Sequence, residues 1–170
     1  MKIILILIGL IPLKTLGQEI IPDSLLYYLT RQSIDNLTIG NVKIFDKVMG
    51  HQYLLDKGNR ILQDVAYFSE DDIQSIDDQI LNSTISSWDN QIFSQENNIG
   101  IVKTLANDVC VFISVPLISR DGNTIVIYYE IRRHKKKKKL KSGSGTITVW
   151  KKTFLNEWIQ QRQQILWMIE

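Results

Sequence analysis

The amino-acid sequence predicts an α+β domain, with N-terminal helices packed on a C-terminal antiparallel β-meander of about four strands. Two observations lead to this class. Apolar residues recur at helical spacing in the first half of the chain, and after residue 109 they alternate or run continuously, as they do in strands. Helices followed by strands are the order expected of a domain in which helices cover an antiparallel sheet.

The first helix is predicted over residues 24–32 (SLLYYLTRQ). Asp23 or Ser24 can cap its free N–H groups, and apolar residues follow at helical spacing. Residues 34–50 mix β-branched residues with a glycine, so they stay open between helix and strand. Residues 60–67 (RILQDVAY) are a short apolar piece that fits either element.

The second helix is predicted over residues 69–81 (SEDDIQSIDDQIL). Ser69 is placed to cap it, and Asp72 three residues later completes a pair of the capping-box type. The acidic residues of the first turn face the positive end of the helix dipole, which explains the acidic cluster without a metal site. Apolar residues at spacings of three and four make the buried face: Ile73, Ile76 and Ile80.

The strands are predicted from the second half of the chain. Residues 109–118 (VCVFISVPLI) form a nearly continuous apolar strand, and residues 119–123 (SRDGN) form a turn. Residues 124–133 alternate between two faces, as a strand requires. A further strand is expected in residues 145–152 (GTITVWKK). For residues 157–170 helix and strand compete, and we favour a strand that closes the meander.

The N-terminus resembles a secretory signal peptide. A positive start, Met1-Lys2, precedes eleven apolar residues, 3–13, which are too few to span a membrane. Small residues before Gln18 fit a cleavage site, so we expect residues 1–17 to be a cleavable signal peptide and residues 18–170 to be one domain. The expected location is the periplasm or the extracellular space, without a transmembrane segment. The alternative interpretation of the same residues is a buried N-terminal strand.

Charge is distributed unevenly along the chain. Two of the 20 basic residues, Lys2 and Lys14, leave with the predicted signal peptide, so 18 remain against 18 acidic residues. Residues 18–131 hold 7 basic and 16 acidic residues, whereas residues 132–170 hold 11 and 2. The chain is therefore an acidic domain that carries one basic segment.

The basic segment, with the Ser/Gly run that follows it, has two interpretations. Residues 134–145 (HKKKKKLKSGSG) can be a hydrated connector whose like charges protect a sheet end from pairing, with Gly143 and Gly145 turning the chain back. They can also attract an anionic envelope surface or an acidic protein partner. We do not expect nucleic acid, because no aromatic residues are interleaved for stacking. The candidate anion-contacting residues are Arg132, Arg133, Lys135, Lys136, Lys137, Lys138, Lys139 and Lys141.

Taken in order, the capped acidic helix, the strand that ends in SVPLISRDG, the IVIYYE strand, the Ser/Gly-containing connection and the TITVWKK strand resemble uncharacterised exported proteins of Bacteroidota-type bacteria. The resemblance covers roughly residues 69–170 and rests on strands and turns. It implies location and fold, and it carries no catalytic signature. Members of that group carry a cysteine-rich turn where this chain has lysines, so no disulfide or metal role of that turn transfers.

No motif of the sequence points to catalysis, and we expect neither cofactor nor metal. The two histidines and the single cysteine do not stand at ligand spacing, and no nucleophile elbow or phosphate loop is present. Cys110 lies in an apolar run and is predicted to be a buried core residue. We therefore expect a non-enzymatic structural or interaction domain. The alternative is a hydrolase-like enzyme with His51 and nearby carboxylates as acid and base.

Overall fold

A computed structural model describes residues 23–35, 42–49, 68–82, 87–88, 99–103, 109–135 and 139–169. Within these ranges the chain is predominantly sheet, with few helices. The helices are α1 (Asp23–Asp35) and α2 (Glu70–Asn82). The strands are β1 (Val42–Phe45), β2 (Ile99–Val102), β3 (Val109–Ile113), β4 (Leu117–Ile118), β5 (Thr124–Lys135), β6 (Lys139–Lys152) and β7 (Trp158–Ile169).

Several sequence predictions concern residues outside the described ranges. They are the signal peptide over residues 1–17, the apolar piece over residues 60–67, the candidate base His51, and the lysines of residues 136–138. These stay predictions.

The described strands form one seven-stranded sheet. Its order is β2-β1-β3-β5-β6-β7, and β4 pairs with β5 as a short continuation of β3. The strands from β3 onwards pair antiparallel, whereas β1 pairs parallel to both β2 and β3. The prediction of about four strands is therefore too low. The consecutive antiparallel run β5–β6–β7 is part of a larger mixed sheet.

The C-terminal residues form a strand, as favoured, since β7 spans Trp158–Ile169 and pairs antiparallel with β6. The apolar run 109–118 is a pair of strands instead of one, because the chain leaves the ladder between Ile113 and Leu117. Pro116, which lies in that break, has no backbone N–H to donate to a ladder.

Both faces of the sheet are buried along the central parts of β5 and β6, because these strands alternate apolar residues toward each side. On one face Leu29 and Ile34 of α1 belong to the same buried cluster as Ile127 and Trp150. The Trp150 indole N–H also donates to the Ser33 hydroxyl over 2.9 Å. Helix α1 is thus joined to this face by packing and by a buried hydrogen bond.

On the opposite face, α2 contributes Ile76 to a second cluster with Val126, Tyr128 and Val149. The Gln79 side chain of α2 forms two hydrogen bonds with the backbone of Ile118 in β4. Its amide donates to the carbonyl of Ile118, and its oxygen accepts the Ile118 backbone N–H over 2.9 Å. Buried residues of α1 and of α2 therefore belong to clusters on opposite faces of β5 and β6.

The predicted cap of α2 is confirmed. The Ser69 hydroxyl accepts the N–H of Asp72 over 3.2 Å, and the Asp72 carboxylate accepts the Ser69 N–H over 3.0 Å. This reciprocal pair satisfies two donors at the helix start. It also accounts for the position of Asp72 in the acidic cluster.

The predicted turn over residues 119–123 is also confirmed. Gly122 adopts a φ of 71°, and the Asp121 carboxylate accepts bonds from the Ser119 hydroxyl and the Asn123 N–H. Partial burial raises the pKa of Asp121, but these hydrogen bonds and the charge of Lys151 outweigh burial and leave the pKa below its ordinary value. The turn is therefore fixed by a carboxylate that is preferentially ionised.

Candidate anion-contact site

The basic segment lies at the end of the β5–β6 hairpin. The two strands pair along their whole length, up to Lys135 opposite Lys139. Strand β3 pairs with β5 only as far as Arg133, and β7 pairs with β6 only as far as Gly143. Among the described residues, no strand flanks the hairpin beyond these pairs, so its last residues extend past the body of the sheet.

The interpretation of residues 134–145 as a connector needs correction. Lys139–Lys152 is a continuous strand, so Gly143 and Gly145 lie inside β6 and do not turn the chain. Only the three residues 136–138 stand between the paired ends of β5 and β6. The lysines therefore mark the end of a long hairpin instead of a broad loop.

Arg132 differs from the other candidate residues because its charge is used inside the sheet. Its guanidinium forms an ion pair with Glu130 on the same strand. It also lies 4.6 Å from the ring centroid of Phe112 on β3, which is a cation–π arrangement. The Arg132 side chain is 34% exposed and Glu130 only 6%. An external anion would have to compete with a buried carboxylate for this arginine.

Glu130 is the centre of a polar network on this face of the sheet. Its carboxylate accepts the Tyr128 hydroxyl over 2.6 Å, and the Tyr128 oxygen in turn accepts the indole N–H of Trp167 over 2.9 Å. Because the Tyr128 hydroxyl both donates to Glu130 and accepts from Trp167, the buried carboxylate is held by a hydrogen-bond network as well as by the charge of Arg132. The network fixes β7 to β5 across β6.

The Ser/Gly alternation of β6 is explained by Trp167. Its ring lies over Gly145 and Gly143, and a Cβ added at Gly145 would stand 2.6 Å from the Tyr128 hydroxyl and collide with the indole. At Gly143 an added Cβ would meet the carbonyl oxygen of Ile131 at 2.7 Å. The glycines are thus required by packing. A glycine inside a strand often marks the close approach of another group, but which residue approaches here depends on the register of β7 against β6.

The remaining candidate residues divide into three sets: Arg133, the lysines of the paired strands, and the lysines outside the described residues. Arg133 follows Arg132 but faces the other side of the sheet, where its side chain is exposed. Lys135, Lys139 and Lys141 lie in the paired strands, and Lys136, Lys137 and Lys138 fall outside the described residues. The structure therefore brings the backbone of three candidate lysines together at one end of one hairpin.

His134, which precedes the lysines, is buried, with its ring centroid 6.2 Å from that of Phe112. It is therefore a residue of the hairpin stem and not of its charged end. Strand alternation accounts for this orientation, since Arg132 and His134, on either side of Arg133, both lie near Phe112.

In the described part of the chain, no group of three or more potential metal ligands occurs. Cys110 is buried at 1% exposure, in agreement with its prediction as a core residue. None of the described helices combines the length and apolar character needed to cross a membrane.

Comparisons of the chain with protein-family models, with curated proteins and with solved structures give no match.

Proposed function

We propose that this protein is an exported, non-enzymatic interaction domain that contacts an anionic surface through the lysine-bearing end of its β5–β6 hairpin. The observation that carries the proposal is the pairing of Lys135 with Lys139. It brings the backbone of two lysines together at the end of the hairpin, within the stretch of densest positive charge in the sequence, which holds eight basic residues between Arg132 and Lys141.

The arrangement favours a binding role because the clustered positive charges raise the free energy of the protein when no anion is bound. Lysines that follow one another on a hairpin repel one another, and hydration or an external anion relieves this repulsion. Glu130, a carboxylate on β5 next to the segment, is already paired with Arg132. A surface of lipid headgroups or acidic glycans supplies the missing negative charge at high density.

Export belongs to the same proposal. It rests on the resemblance of residues 1–17 to a cleavable signal peptide and on the pattern shared with exported Bacteroidota-type proteins over residues 69–170. An exported domain with this projection would meet the anionic groups of the cell envelope. The test is to express the full chain and determine the N-terminal residue of the exported product, which should be Gln18.

Cation-exchange chromatography tests the role of the hairpin. In one variant Lys136, Lys137 and Lys138 are changed to serine. In a control of equal charge, three exposed basic residues elsewhere are changed to serine: Lys47, Lys103 and Arg120. Because binding through a local cluster depends on charge density and not on net charge, we expect the hairpin variant to elute at clearly lower salt than the control.

Equal elution of the two variants would contradict the proposal, since net charge alone would then explain retention. Unfolding midpoints of both variants serve as the folding control. Lys47, Lys103 and Arg120 are exposed, and the three lysines of the other variant follow one another in a strongly hydrophilic stretch, so we expect no loss of stability beyond about 0.5 kcal/mol in either variant.

A further inference from the structure

A groove lies on the face of β6 opposite Trp167. Its floor is formed by Ser142 and Ser144, the residues that alternate with the two glycines. Ile131 and Arg133 of β5 stand on one side, and Met168 of β7 stands on the other. Because serine is shorter than its neighbours on both sides, the middle strand is recessed. The resulting groove has a volume of about 490 Å³, which is in the range of small-molecule sites.

The two ends of the groove differ in chemistry. Toward the hairpin end, Arg133 is paired in register with Ser142, both residues line the groove, and the Arg133 side chain is exposed. Toward the body of the sheet, Ile131 and Met168 flank Ser144. Met168 is 58% exposed, and Ile165, on the same face of β7, is 56% exposed. The groove therefore has a cationic, hydroxyl-bearing end, where Val109 of β3 adds an apolar side chain beside Arg133, and a second end that is apolar.

The groove suits a ligand whose polar atoms are confined to one end. Strands β5, β6 and β7 are hydrogen-bonded to one another beneath it, so its floor offers no free backbone ladder to an extended peptide. Arginine binds phosphate with two parallel hydrogen bonds, and serine hydroxyls donate to the same group. An acyl chain would remove exposed Met168 and Ile165 from water.

We propose that this groove binds the phosphate headgroup and the adjoining acyl chain of an anionic lipid. The proposal rests on the proposed function in one respect: the lysine hairpin would bring the protein to the anionic surface from which the groove takes its ligand. Arg133 and Ser142 would hold the phosphate. Ile131, Ser144 and Met168 would line the first part of the chain.

Dodecyl phosphate, used below its micelle concentration, is the probe, and isothermal titration calorimetry is the measurement. We expect the wild type to bind it and to bind inorganic phosphate or dodecyl maltoside at least tenfold more weakly, because each control lacks one half of the ligand. Equal affinity for inorganic phosphate would identify a phosphate site without lipid recognition. No binding of dodecyl phosphate would overturn the proposal outright.

Two variants locate the binding. Arg133→Gln removes the charge, and Ser144→Val fills the floor with a residue that suits a strand. We expect each to weaken dodecyl phosphate binding about tenfold or more. Ser142→Val provides a second filling variant should Ser144→Val unfold. Unchanged affinity in the folded variants would overturn the proposal.

The proposal for the groove and the proposal for the hairpin can be contradicted separately. Ser144→Val should weaken dodecyl phosphate binding by the same factor in the wild type and in the variant that lacks Lys136, Lys137 and Lys138. The Ser144→Val variant with intact lysines should elute from the cation exchanger at the same salt concentration as the wild type. Loss of retention only in the lysine variant together with an effect of Ser144→Val supports both sites. An effect of Ser144→Val without any effect of the lysines supports the groove alone.

Discussion

Arg132 and Arg133 are adjacent in the chain and have opposite roles. Alternation along β5 directs Arg132 toward Glu130 and Phe112, and it directs Arg133 toward the exposed groove. The sequence predicts that the two face opposite sides. It does not predict which side holds a buried carboxylate, because that depends on the register of β3 and β6 against β5. The sequence therefore predicts anion contact for both arginines, and it does not reveal that Arg132 is already paired with Glu130.

The two arginines give a matched test of this difference. Arg132→Ala leaves the Glu130 carboxylate buried without its countercharge, so we expect a loss of about 3–5 kcal/mol in the free energy of unfolding. Arg133→Ala removes an exposed side chain and should cost less than about 0.5 kcal/mol. Urea unfolding of the two variants measures both values. Similar losses would show that the ion pair with Glu130 does not stabilise the fold.

At the scale of elements, short-range features were predicted well. The cap of α2 and the turn after β4 depend on residues within five positions of one another, and both form as the local sequence indicates. The prediction that Gly143 and Gly145 turn the chain is wrong, because the residue that requires them, Trp167, lies more than twenty residues away in the sequence. The pairing of β6 with β7 contains two register shifts, so simple alternation does not lead to this contact.

Gly145 and Gly100 provide a comparison of two strand glycines. An added Cβ at Gly145 meets Trp167 and Tyr128, whereas at Gly100 it meets no atom within 4 Å. We expect Gly145→Ala to destabilise the protein by about 1–3 kcal/mol, because the indole must leave its place over β6. Gly100→Ala should be neutral or slightly stabilising, because alanine restricts the unfolded chain. Chemical denaturation of both variants is the measurement, and equal losses would contradict the packing role of Trp167.

At the scale of the whole molecule, the sequence predicts the long antiparallel strands and misses the parallel edge. Strands β1 and β2 are four residues each, and their pairing joins Val42 to Ile99, which are separated by roughly a third of the chain. Such short strands carry too few residues for a periodic signal, and their partners are distant in sequence. The sequence also does not predict that α1 and α2 contribute buried residues to opposite faces of the sheet, because this depends on tertiary packing.

The assembled molecule places two chemically related features at one end. The lysine-bearing hairpin extends past β3 and β7, and the groove with Arg133 lies at the base of the same hairpin. The rest of the chain before residue 132 is acidic, so binding to an anionic surface requires that this end approach first. Orientation is therefore part of the proposed function.

Sedimentation with lipid vesicles that contain a high fraction of anionic phospholipid tests this account most directly. Each lysine near such a surface contributes about 1 kcal/mol, so changing Lys136, Lys137 and Lys138 to serine should weaken binding on the order of 100-fold. The control of equal charge at Lys47, Lys103 and Arg120 should bind within a few-fold of the wild type, and uncharged vesicles should bind none of the three proteins. Equal weakening in the two variants, or equal binding of the wild type to charged and uncharged vesicles, would contradict the account.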